Sequence, residues 1–459
     1  MVVDTIVTNG EVVTATGRYP TDIAIHNGKI LGVGDREALP ECEMVVDASD
    51  QLVMPGVVDP HVHIDEAPEN RAGTYEAETA AAALGGVTTI VDFAFQGRDR
   101  ANSDPDADLL DGIQHKREKA AEAHVDFGLH GVLHRETEDT LKQVTSAVDA
   151  GVTSFKLFMS NYRIGVSNGF ILKAFERIAD EDAVALVHTE DPAVCDTRTE
   201  QLQAAGRGDA VHYPDSRPDY AEAMGAADAA RLAAETGVKY YGMHTTCEAA
   251  ADVLEPFQDE CSVRAETCVH YTVHDRSAYE TQGNLPKIAP PLREMSDVDA
   301  LFEHLRNGTL SVVSTDHAVY HEEYKRVENW WDAPLGANSL QVSLPVFHDV
   351  AVNERGFSYP SLVRWMCTNP ARTFGLPQKG TLEPGTDADL ILFDPDASFT
   401  VDAATNRSNS TYSIYDGRTV TGVPTKTLLR GEVVASDGEV VAEPGTGEFV
   451  ERLLPNWEP

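Results

Sequence analysis

Basic residues are scarce in this chain. Lys and Arg total 36 against 75 Asp and Glu, a formal charge of −39. That balance excludes nucleic acid and anionic membrane as partners, because both need a positive footprint. The acidic excess is spread along the chain rather than gathered in a tail, and suits a well-solvated surface in a salty cytoplasm. Long apolar runs are also missing. No stretch approaches the roughly 18 residues of a membrane span, and "MVVDTIVTNGEVV" shows no basic segment leading into an apolar one. Neither a span nor a secretory signal is expected, and the cytoplasm is the expected location. Cysteine is sparse too. Cys42, Cys195, Cys247, Cys261, Cys268 and Cys367 form no CxxC pair, which excludes zinc-ribbon and redox motifs and predicts reduced thiols.

The chain does have length and apolar content. Its 459 residues are 42% hydrophobic, enough for one large α/β domain with a smaller companion. Residues 1–53 alternate apolar and polar, as in "DIAIHNGKILGVGD", and Asn-Gly steps at 9–10 and 27–28 suit tight hairpins. The same alternation returns in "DADLILFDPD" and "TKTLLRGEVVASDGEVV", within 377–459. Two distant β-rich ends can therefore pair into one small β-sandwich. Between them, across 54–376, short apolar runs occur at 56–63, 87–94, 124–132, 152–159, 183–191, 238–246, 263–271 and 310–318. Amphipathic segments such as "DLLDGIQHKREKAAEA" and "SDVDALFEHLRNG" separate most of them. Eight strands alternating with helices predict an α/β fold, a (β/α)8 barrel of the TIM type.

Polar groups end several of these runs. His61 and His63 share one strand face in the first, His188 closes the fifth, His244 the sixth and Asp316 the eighth. In a barrel the C-terminal strand ends converge on one mouth, so these side chains form a candidate metal site. Imidazoles with a carboxylate suit zinc and similar divalent ions, and the set is too large for one catalytic ion with an open position. Two dications about 3.5–4 Å apart repel by on the order of 20 kcal/mol at an effective dielectric of 20, so bridging anions are required. "SFKLFM" places Lys156 in the apolar fourth run. Burying an unpaired ammonium there is costly. Either Lys156 has reacted with carbon dioxide, giving a carboxylate-like carbamate between two metals, or it pairs with an acidic neighbour such as Glu190 or Asp191.

"GVVDPHVHIDE", "AAALGGVTTIVDFA", "SFKLFM", "ETCVHY", "APPLRE", "STDHA" and "NPARTFGLPQKGTLEPGTDADLILFDPD" resemble the cyclic amidohydrolases, in the dihydropyrimidinase and hydantoinase branch. The likeness spans essentially the whole chain. It implies that His61 and His63 bind a first metal, His188 and His244 a second, with carbamylated Lys156 bridging and Asp316 completing the first shell. The implied reaction opens a cyclic amide or imide to an N-carbamoyl amino acid. A metal-activated water attacks, and Asp316 relays its proton to the leaving nitrogen. The resemblance also suggests a homotetramer.

Departures from the family shape the substrate reading. Dihydroorotases carry Arg two residues after the second His; here Asp65 would repel a carboxylate, which disfavours dihydroorotate and leaves allantoin as an alternative substrate. The family places a Tyr five residues after the bridging Lys to support the oxyanion. This chain has Asn161 there and Tyr162 next, so either could serve. Ala289 and Asn338 match positions that contact substrate through the main chain. "AVHYPDSRPDY" (210–220) resembles the loop covering the family's site. His317 could bond within the site or cap its strand, and His270 suits a supporting role. From another functional class, a catalytically silent scaffold of the same fold is the alternative. The retained ligand set speaks against it.

Overall fold

The computed structural model describes residues 2–64, 72–97 and 106–457; Asp65 lies outside them. Eight parallel strands form one sheet in chain order: β1 (Val57–Asp59), β2 (Val87–Phe95), β3 (Asp126–Val132), β4 (Ser154–Met159), β5 (Val184–Thr189), β6 (Lys239–Gly242), β7 (Val263–Cys268) and β8 (Val312–Ser314). Each coincides with one of the eight apolar runs, β2 passing its end by one residue. Strands β2 to β5 are buried at every residue. Burial on both faces explains why they read as continuous apolar stretches rather than alternating ones.

Local signals set the helices between strands. Leu109–Lys119 opens at Asp108, whose carboxylate accepts from the Asp111 N–H while Asp111 reaches back to the Asp108 N–H. Its last turn carries Lys116, Arg117 and Lys119 near the negative end of the helix dipole. Met295–Asn307 stops at Gly308, whose φ of 95° only glycine adopts readily.

The ring closes between its first and last strands. Among the described residues β8 and β1 share no backbone ladder; the Thr315 hydroxyl instead donates to Asp59 Oδ2 at 2.6 Å. Pairing resumes just beyond, where His317 lies opposite Val62 and Ala318 opposite His63.

Both termini build the second layer. A seven-stranded sheet joins Leu390–Thr400, Thr419–Leu429, Glu432–Ser436 and Glu439–Val440 from the C-terminal part to Leu52–Pro55, Glu11–Val13 and Arg18–Pro20 from the N-terminal part. A four-stranded sheet of Val2–Thr8, Asp22–His26, Lys29–Gly34 and Glu41–Asp47 lies beside it. The expected hairpin at Asn27-Gly28 is present, with positive φ at both residues as its tight turn requires. The one expected at Asn9-Gly10 is not. Only Asn9 has positive φ, and Val2–Thr8 and Glu11–Val13 belong to different sheets, so the step carries the chain from one sheet to the other. Asn9 Nδ2 donates to Asp47 Oδ1 at 2.9 Å, tying the step to the first sheet.

A buried ion cluster fastens this layer to the barrel. Lys379 Nζ lies 2.5 Å from Asp126 at the start of β3, 2.7 Å from Asp389 and 3.0 Å from Asp387. All six cysteines are free thiols. No helix among the described residues is long and apolar enough to cross a membrane.

Candidate metal centre

The strand ends deliver their polar residues to one cavity. His61 and His63 lie just past β1, His188 near the end of β5, and His244 and Asp316 two residues beyond β6 and β8. His61 Nε2 is 3.0 Å and His63 Nε2 3.2 Å from Asp316 Oδ1. Three ligand-type atoms thus converge from the two sides of the barrel seam. His188 Nδ1 and His244 Nε2 meet at 2.9 Å, and the His61 and His244 rings are 5.4 Å apart, so the two groups adjoin. Lys156, Phe158, Tyr162, Ala289, Ala318, Leu335 and Gly336 complete the lining.

Carboxylates behind the imidazoles set their orientation. His61 Nδ1 bonds Glu266 Oε1 at 2.5 Å, and His188 Nε2 bonds Glu190 Oε2 at 2.8 Å. Each carboxylate accepts the ring N–H on its side, so the opposite ring nitrogen faces the cavity, towards Asp316 for His61 and His244 for His188. Glu266 also accepts from the Tyr241 hydroxyl (2.9 Å) and the His244 N–H (3.2 Å). Sequence reasoning named Glu190 only as a possible partner of Lys156, and did not assign Glu266. A signal existed for both: Glu266 is an acid in a buried strand, and Glu190 stands two residues from His188, on the same strand face.

The backbone is strained where ligands leave the strands. His244 and Asp316 have φ of 34° and 46°, in the left-handed region that costs non-glycine residues energy. Electrostatics match the crowding. Burial works against a charged His61, but Asp316 and Glu266 outweigh it and raise its pKa to about 9. Burial would raise Asp316, yet His61 and His63 hold it well below the carboxylate range. Burial, with His188 and Lys156 nearby, keeps His244 well below an ordinary histidine.

Lys156 Nζ lies beside the Met243 sulfur, 4.8 Å from the Phe158 ring centre and 5.8 Å from that of Phe93. The acidic neighbours considered as its partners are engaged elsewhere. Glu190 bonds Arg217 and His188, and Asp191 caps the next helix by accepting from the Val194 N–H at 2.8 Å.

The structure separates Asn161 from Tyr162. Tyr162 lines the cavity, its ring 5.4 Å from that of His188. Asn161 instead bonds Asp196 (2.9 Å) and Arg217 (2.7 Å) at the rim. The turn presenting Tyr162 depends on Gly165, where a Cβ would lie 2.2 Å from the Ser160 carbonyl. Ala289 lines the cavity. Asn338 is buried beside it, two residues past Gly336, and among the described residues its side-chain oxygen has no hydrogen-bond partner. His317 serves the scaffold: Nε2 bonds Glu78 (2.9 Å), and Nδ1 accepts from the Ser339 N–H (3.0 Å). His270 is fully buried, and burial pushes its pKa down to about 3.

This donor set fits divalent cations: imidazole nitrogens and a carboxylate converge, with outer carboxylates behind His61 and His188, and a bound cation would take the place of the extra proton on His61. The fold and site together define a metal-type hydrolase barrel. Residues 52–434 match the amidohydrolase family, and the chain belongs to it. Among its relatives, a D-hydantoinase of Ralstonia pickettii is 33% identical, with 98% of this chain and 99% of that one covered. An L-hydantoinase of Paenarthrobacter aurescens is 35% identical, covering 98% of each. The crystal structure of a dihydropyrimidinase from Brevibacillus agri superposes with a TM-score of 0.94 at 30% identity, over 99% of this chain and 100% of that one.

Proposed function

We propose that this chain is a cyclic amidohydrolase of the hydantoinase and dihydropyrimidinase type, opening a hydantoin or dihydropyrimidine ring to an N-carbamoyl amino acid. One observation carries the reading: two groups of ligand-type atoms meet in one cavity with Lys156 on its wall. His61, His63 and Asp316 hold one divalent ion, His188 and His244 a second, and zinc suits both. A carbamate on Lys156 supplies the bridging carboxylate and removes the ammonium from an aromatic pocket. When bound, the ions lower the pKa of a water and polarise the ring carbonyl.

The protein's own groups handle protons and charge. Asp316 takes the proton from the attacking water and returns it to the departing ring nitrogen. The Tyr162 hydroxyl, rather than the Asn161 amide, donates to the oxygen that becomes negative. Main-chain groups at Ala289 and Asn338 hold the planar amide edge of the ring. The acidic surface suits a salty cytoplasm, and the family likeness suggests a tetramer.

Metal analysis and a substrate panel test this reading. Two equivalents of metal per chain are expected, with ring opening of hydantoin or dihydrouracil. A metal-free, inactive protein would favour the scaffold. Turnover confined to allantoin would move the assignment to the ureide hydrolases.

A further inference from the structure

The covering loop delivers a side chain that the reaction scheme above does not use. Arg217 follows the short turn Pro214–Ser216 and is buried. Its guanidinium makes three contacts at once. Nη1 donates to Glu190 Oε2, the same oxygen that accepts from His188 Nε2. Nη2 donates to Asn161 Oδ1 at 2.7 Å. The guanidinium carbon lies 4.9 Å from the Tyr162 ring centre. One planar cation thereby joins a metal-type histidine, through its carboxylate, to the turn presenting Tyr162.

The arginine is itself held. Arg293 Nη1 donates to the Arg217 carbonyl, while its other nitrogens bond Glu222 Oε2 (2.7 Å) and Thr246 Oγ1 (2.9 Å). Thr246 stands two residues past His244, so the anchor reaches back to the other histidine of that pair. Such a buried arrangement is costly unless every charge is matched, and here Arg217 faces Glu190 while Arg293 faces Glu222. Tyr162, by contrast, rides on a short turn between β4 and the helix Asn168–Asp180. That turn's local bonds are few, chiefly the Gly165 N–H to the Tyr162 carbonyl at 2.8 Å. The ring packs against the apolar cluster that holds Phe158 and Ile164, with His188 and the guanidinium as its polar neighbours.

We propose that Arg217 is a positioning residue, which fixes the Tyr162 hydroxyl over the cavity and links its placement to that of His188 through Glu190. This rests on the role given to Tyr162 in the proposed function. Lysine cannot replace it: an ammonium can face Glu190 but offers neither the second prong to Asn161 nor a flat surface to the ring.

A double-mutant cycle tests the link in the metal-loaded protein, with kcat, KM and bound metal measured for each variant. Tyr162→Phe should lower kcat by about 100-fold, in the range for losing one oxyanion donor, with KM little changed. Arg217→Lys should lower kcat by about 10-fold or more, leave two metals bound, and cost less than about 2-fold further in the Tyr162→Phe background. Additive losses, or metal loss in Arg217→Lys with kcat per bound metal unchanged, would overturn the positioning role while leaving the proposed reaction intact. An unchanged kcat in Tyr162→Phe would remove the reading of Tyr162 and this inference with it. If Arg217→Lys does not fold, Asn161→Ala carries the same test. It deletes the second prong, together with the rim bond from Asn161 to Asp196, and should lower kcat several-fold with no further effect when Tyr162 is already Phe.

Discussion

Two of the buried lysines, Lys379 and Lys156, have opposite surroundings. Lys379, where the sandwich meets the start of β3, faces Asp126, Asp387 and Asp389, and these carboxylates raise its pKa against the pull of burial. Lys156, near the mouth, stands between Phe93 and Phe158, beside Met243 and the histidines. The three aspartates around Lys379 have the spacing of a metal site, yet the ammonium already fills the place a cation would take. At the mouth, histidine nitrogens and Asp316 converge on a cavity whose wall carries Lys156, packed against the Phe93 and Phe158 rings. The contrast between the two donor clusters lies within one molecule.

Removing each lysine should give opposite phenotypes. Lys156→Ala should abolish turnover, by at least about 1,000-fold as for other essential catalytic groups, and deplete bound metal while the fold survives. Circular dichroism with elemental analysis checks this, and retained metal with retained activity would return Lys156 to a simple cation. Lys379→Ala should instead unfold the protein more easily, by about 3–5 kcal/mol, because three carboxylates lose their central charge. Denaturant titration would show it, and kcat of the folded fraction should be unchanged.

The outer carboxylates sharpen the metal side of the comparison. Glu266→Gln should weaken metal affinity about 10- to 100-fold by loosening the His61 tautomer, measured by competition with a chromophoric chelator. A third lysine sharpens the other side. Lys287 Nζ donates to the Trp330 and Ala333 carbonyls at 2.5 Å each, and burial lowers its pKa to about 7 from 10.5. The depressed value means that the charged form opposes folding. That opposition is fully present below pH 7 and fades as pH rises towards 10.5. Relative to Lys287→Met, the wild-type protein should therefore gain thermal stability between pH 7 and pH 10, and a flat difference would contradict the shift.

The barrel was legible because its strands are short, buried on both faces and separated by helices with clear capping. The convergence of His61, His63, His188, His244 and Asp316 on one cavity was legible because each one interrupts an apolar run near its end. What escaped depended on contacts across the chain. The pairing of Glu266 with His61 and of Glu190 with His188 shows only in the fold, and the burial of Arg217 follows a short turn, Pro214–Ser216, that no periodicity announces. That Tyr162 lines the cavity while Asn161 bonds Asp196 and Arg217 at the rim turns on one residue of register in a tight turn that depends on Gly165. Asn9-Gly10 misled for a similar reason. The dipeptide permits a tight turn, but the partners of the flanking strands decide whether one forms.

The seam between β8 and β1 has a consequence for how this protein endures. His61 and Asp316 flank the stretch where, among the described residues, β8 and β1 share no backbone ladder, and His63 lies in the short pairing just beyond it. A cation gripped by all three rivets together segments separated by most of the chain's length. Starvation for that ion would then open the staves of the barrel as well as silence its chemistry, so resistance to proteolysis would track metal supply.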